Sequence, residues 1–317
     1  METFDGATGG PNTWTGPIGQ QLKTCQELPV VKFQPIALDL PDPELDSAVL
    51  STDQRYCLDI ARAISTGTCP PALAARDPGI VNHSRWGTTA NRVMRVYIGT
   101  RRPSAALKHI VTIIIKLYVP MWFAVKMRWQ CWEGPKHITK MVILSRQFPK
   151  KYRDVLQKYI QNNAYFAHPE NVLVAMVKDD RAEVRRLGVQ RVLQARSQPA
   201  AAVGEVRRFT VPQLNFSATD YVEIVDWNSV PVTPPPLLAH IPSAELEAML
   251  LLPETPAIHI PAFPCHCQAV ERAVKMVTEA AANASTPDDR DGNIRQKIAS
   301  RRLMPEFKTK KDYRLNT

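Results

Sequence analysis

Between Ser51 and Arg196 the chain keeps repeating one device: a cap, an amphipathic run, then a stop. Ser51-Thr52-Asp53 offers a cap to a run in which Tyr56, Ile60, Ala63 and Ile64 share a face, and Gly67 ends it. Pro70 to Arg76 reads as a short helix, and Asp77-Pro78-Gly79 as a turn. A helix over Ser84 to Tyr97 carries Trp86, Val93, Val96 and Tyr97, with Arg85, Arg92 and Arg95 on its other face. A further helix begins at Pro103, a residue tolerated at a first helical position, and runs through Leu107, Ile110, Ile114 and Leu117 to Pro120. Helical spacing resumes over Lys136 to Ser145. In Tyr152 to Ala164 the residues Tyr152, Val155, Leu156, Tyr159, Ile160 and Asn163 line one stripe. His168-Pro169-Glu170 opens a helix through Met176, and Asp179-Asp180 caps Arg181 to Arg196. That last helix presents Arg181, Arg185, Arg186, Arg191 and Arg196 on broad outer faces. No fixed period links the helices, which excludes a solenoid.

The flanks are different. Residues 1–50 are rich in Gly and Pro, extended from Pro29 and acidic from Asp39 to Asp46. Residues 197–206 form an Ala-rich linker. Over 207–304 the chain alternates extended, Pro-punctuated pieces with short helices, and 305–317 is a charged basic tail. The expected fold is mainly α: a self-sufficient helical domain over 51–196 with a small, incomplete α+β portion behind it.

The net charge is +10 and the pI about 9.4, which directs attention to acidic partners such as nucleic acid. The N-terminal METFDGATGG has none of the features of a signal peptide. The longest apolar run, Ile110 to Phe123, is interrupted by Lys116 and Pro120 and reads as a buried core helix with no membrane role. Six scattered cysteines suit a reducing compartment, nuclear or cytoplasmic. Cys265-His266-Cys267 lacks the spacing of a zinc knuckle, so no metal is assigned.

Beyond Pro261 a rigid apolar lead-in feeds a helix in which Val270, Ala273, Val274 and Val277 share a face and Glu271 occupies the first turns. The segment Ala269-Val270-Glu271-Arg272-Ala273-Val274 resembles the C-terminal block of hAT-type transposases, matching it at the Glu-Arg pair and the apolar frame. In that family the Glu is the last acidic ligand of an RNase H-like core, so the resemblance makes Glu271 the candidate catalytic residue. The blocks WTGPIGQQL, LSTDQRY, HSRWGTTANRVMRVYI, YVPMWFAVK, NAYFAHPENVLVAM, RRLGVQRVLQAR and FPCHCQAVERAVK together resemble a family of arthropod and bracovirus proteins derived from mobile elements. The resemblance implies a truncated or domesticated transposase whose upstream core strands are missing.

Two-metal chemistry requires several converging carboxylates, and one Glu cannot hold two ions. Asp220, Glu223 and Asp226 offer a second acidic group but read as surface and capping residues. Mg2+ would be needed only if the chain is catalytic; otherwise no cofactor is expected. Arg85, Trp86, Arg92, Arg95, Arg185 and Arg186 are the candidate nucleic-acid contacts, because arginine neutralises phosphate and an indole can stack on an unpaired base. The expected function is non-catalytic binding of DNA or protein, with self-association open. The rivals are an active metal-dependent nuclease and a helical protein-interaction module.

Overall fold

The computed structural model describes residues 16–40, 50–80, 86–128, 130–198, 211–230 and 232–260. The chain divides into two units, Met1–Cys265 and His266–Thr317, and every described residue belongs to the first. The architecture is mainly helical. The helices are α1 (Pro17–Gln21), α2 (Thr52–Thr66), α3 (Pro71–Ala74), α4 (Trp86–Gly99), α5 (Ala105–Ile113), α6 (Val119–Met127), α7 (Gly134–Ser145), α8 (Lys150–Asn162), α9 (Pro169–Val177), α10 (Ala182–Ser197) and α11 (Ser243–Leu251). Among the described residues, β pairing is limited to one antiparallel bridge between Leu214 and Val225.

The capping signals act as their chemistry dictates. Ser51 forms a capping box in which its backbone N–H donates to Gln54 Oε1 at 3.2 Å. Gly67 ends α2 at φ 77°, a conformation that costs glycine nothing. Ser104 Oγ accepts the Leu107 N–H at 3.2 Å to start α5. His168 Nδ1 accepts the Glu170 N–H at 3.4 Å, so this histidine caps α9.

Pro120 does not end its helix. Residues Ile114–Tyr118 form a π turn between α5 and α6, and the Val119 N–H reaches back to the Ile114 carbonyl. Proline removes the bond its own N–H would make and crowds the preceding turn, and the wider π turn absorbs both effects. The result is one helix from Ala105 to Met127, long and apolar enough to cross a bilayer by length and composition. Its Ile110, Val111, Ile114, Ile115, Val119 and Phe123 are buried within the protein.

Two cores organise the unit. The first joins α2, α4 and α5 with Ile18, Leu22 and Cys25 of the N-terminal stretch. Residues 29–40 form no regular helix or strand but are structural: the Val31 N–H donates to Ile98 O at 3.0 Å and Tyr97 Oη donates to Gln34 O at 2.8 Å. The second core joins α7, α9 and α10 with Leu214, Tyr221, Ile224, Leu238, Leu246, Ile258 and Ile260. The Pro-punctuated segment after the linker thus docks on the helices. Gly188 lets α10 approach α9: a Cβ there would lie 2.8 Å from Met176 Cβ. A small third cluster, Ile113, Leu117, Phe148 and Tyr152, fastens α8 to α5 and the π turn.

Candidate nucleic-acid interface

Three of the arginines expected on outer helix faces lie inside. Arg92, Arg95 and Arg185 are 6%, 2% and 7% exposed. Arg92 Nη1 donates to Leu22 O at 2.7 Å and to Gln26 Oε1 at 3.1 Å, and its Nε donates to Gly79 O. Arg95 Nη2 donates to the carbonyls of Leu28 (2.7 Å), Gln26 (3.3 Å) and Ala74 (3.4 Å). Arg185 Nε donates to Thr255 O at 2.6 Å, and its Nη1 donates to Asp179 O and Asp180 O at 2.9 and 2.8 Å.

The same use recurs at Arg146, which holds Phe216 O and Ala218 O, and at Arg196, which holds Leu238 O and Ile241 O. Arg191 lies 4.0 Å above the Trp227 ring. The reason is physical. Extended segments and helix ends leave carbonyls without intrahelical donors, and a guanidinium offers five N–H groups in one rigid fork. Helical spacing reports where an arginine emerges from the backbone; it does not report a loop folding over it.

Of the remaining candidates, Trp86 begins α4, partly exposed and edge-on to Tyr118 with ring centroids 6.2 Å apart. Arg186 is exposed on α10. Arg85, Glu271, Cys265, His266 and Cys267 lie outside the described residues.

The acidic group on the following segment is occupied. Asp220 pairs with Arg181 at 2.6 Å and caps the turn at Val222. Asp226 caps Asn228. Arg181 also holds Asp179, which in turn accepts the Tyr221 hydroxyl at 2.5 Å. Burial by itself would raise the Asp179 pKa, but hydrogen bonds from Arg181 and Tyr221 outweigh it and hold the carboxyl at about 2. Among the described residues, no three His, Cys, Asp or Glu side chains form a group able to hold a metal ion.

A different basic surface emerges. Residues 101–178 hold fourteen Lys and Arg against three acidic residues, Glu133, Asp154 and Glu170, so the chain's positive surplus is concentrated there. On α5 and the π turn, Lys108 and Lys116 are exposed, while Leu107, Ile110, Val111, Ile114 and Ile115 are buried. Lys108, Thr112 and Lys116 therefore run along one outer line.

The middle of α5 meets the start of α8 through His109 and Tyr152, whose ring centroids are 4.8 Å apart. Lys150 and Lys151 are exposed beside that pair, with Lys151 Nζ 5.7 Å from the Tyr152 ring centroid. Two turns further along α8 come exposed Lys158 and Tyr159. Asp154 answers only Lys150, at 3.2 Å, and both partners are largely exposed, so the pair contributes little. Among the described residues, the side chains of Arg101, Arg102, Lys108, Lys116 and Lys158 make no hydrogen bond or ion pair. Sequence reasoning passed over these lysines because it followed arginines. The charge balance of 101–178 is the signal that points to them.

No family model, curated protein or solved structure matches the chain.

Proposed function

We propose that this chain is a non-catalytic nucleic-acid-binding protein that seats phosphates on the outer face of α5 and α8. One observation carries the reading: the positive surplus of residues 101–178 surfaces as Lys108, Lys116, Lys151 and Lys158, with Asp154 the only carboxylate on either helix. Lysines unpaired within the protein displace condensed counterions from a phosphate chain, and that release drives association. The resemblance of its sequence blocks to mobile-element-derived proteins favours DNA as the acid and a nuclear setting. The buried arginines Arg92, Arg95 and Arg185 have no part in this reading, because they lie inside the protein and hold backbone carbonyls there.

The test is binding of a fluorescent oligonucleotide across a salt series. Affinity should fall steeply with salt, and changing Lys108, Lys116, Lys151 and Lys158 together to Glu should lower it and flatten the slope. Affinity unmoved by the fourfold change would sink the proposal. A second reading, a protein-interaction module, is favoured by Leu251, 86% exposed at the end of α11 beside partly exposed Leu252. Partner binding indifferent to salt and lost in Leu251→Asp would select it.

A further inference from the structure

We propose that the α8 face selects unpaired nucleic acid, with an extruded base stacked on the ring of Tyr159. The inference rests on the phosphate-binding reading above and adds the strandedness of the ligand.

Tyr159 is 64% exposed, although it belongs to the apolar stripe that predicts burial for its neighbours. Tyr152 and Ile160 of the same stripe are buried, and Leu156 is partly buried in the third cluster. The reason is angular. Tyr152, Leu156 and Ile160 face the protein, whereas Tyr159 sits at the edge of that stripe, on the side where Lys151, Lys158 and Asn162 point to solvent.

Lys151 and Lys158 are two turns apart, roughly 10 Å along the axis. Val155 lies between them, one turn from Lys151 and one turn from Tyr159. The face thus offers two cations in line, with an exposed ring beside the second of them. A ring with two χ angles loses little freedom on stacking, and every base has a π face, so such a platform accepts any sequence. In a duplex the base faces are stacked on one another and unavailable, so only the phosphates can be used. Lys158 adjoins the ring in sequence, so a phosphate seated there leaves its base within reach of Tyr159.

The experiment measures full-length protein binding to a labelled oligothymidine of about 12 nucleotides and to a duplex of equal length, at matched salt. Tyr159→Ala should weaken single-strand binding by about fivefold or more and leave duplex binding unchanged. Tyr159→Phe, which keeps the ring and removes the hydroxyl, should retain single-strand affinity. Because Tyr159 is exposed, an unchanged thermal midpoint verifies that each variant is folded. Unchanged single-strand affinity in Tyr159→Ala, or an equal loss on both forms, overturns the stacking proposal. In the first of these cases, a loss on changing Lys151 and Lys158 to Glu leaves the phosphate-binding reading standing. If those lysine changes also have no effect on either form, the phosphate reading fails together with the inference built on it.

Discussion

Arg185 Nε, on α10, donates to the carbonyl oxygen of Thr255 at 2.6 Å, across 70 residues of chain. Neither partner is exposed, and the same guanidinium holds Asp179 O and Asp180 O and pairs with Glu254 at 2.7 Å. A buried cation is tolerated when its donors are met, and removing it strands several carbonyls at once. Arg185→Met should therefore destabilise the protein by about 2 to 4 kcal/mol. Arg186→Met, one residue along and exposed, should change stability by less than about 0.5 kcal/mol. Urea midpoints of the two variants check this; equal midpoints would show that the carbonyl clamp is dispensable.

His137 on α7 is buried, and neither ring nitrogen has a hydrogen-bond partner among the described residues. Burial, then the charges of Arg128, Lys140 and Lys136, lower its pKa from 6.5 to about 4. The folded state thus keeps the ring neutral over a range in which the unfolded chain binds a proton. Stability attributable to His137 is complete above pH 6.5 and falls as pH drops toward 4. Below that it stays level, after a total loss of roughly 3 kcal/mol. The window of Asp179, from its ordinary 3.8 down to about 2, lies lower and does not overlap. His137→Phe should flatten the stability profile between pH 6.5 and 4, measured by urea unfolding at several pH values. A profile identical to that of the parent protein would contradict the assignment.

The helical stretch 51–196 reads as a self-sufficient domain, yet its surfaces are shared. Arg92 and Arg95 take most of their acceptors from residues 22–28, and the second core takes Leu214, Tyr221, Ile224 and Ile258 from beyond the linker. A fragment of residues 51–196 should therefore lose cooperative unfolding, whereas residues 16–260 should keep it. Tryptophan fluorescence against urea distinguishes them; matching sigmoidal transitions would restore the autonomous domain.

Local chemistry made the helices legible. Ser51, Gly67, Ser104 and His168 act on backbone groups within a few residues, so their roles follow from sequence neighbours alone. The same holds for the periodic faces that bury Ile60, Ile110 and Ile160. The path through Pro120 was not legible, because whether a proline ends a helix or widens one turn depends on the packing around it, here the burial of Val119 and Phe123. Nor was the fate of the arginines. Arg92, Arg95 and Arg185 share their residue type and helical setting with Arg186, and only the chain segments that fold over them separate buried clamp from exposed charge. The lysine face of α5 and α8 lies between these cases. Its charge was written in residues 101–178, but its continuity depends on His109 meeting Tyr152, a contact between residues 43 positions apart that only the tertiary fold supplies.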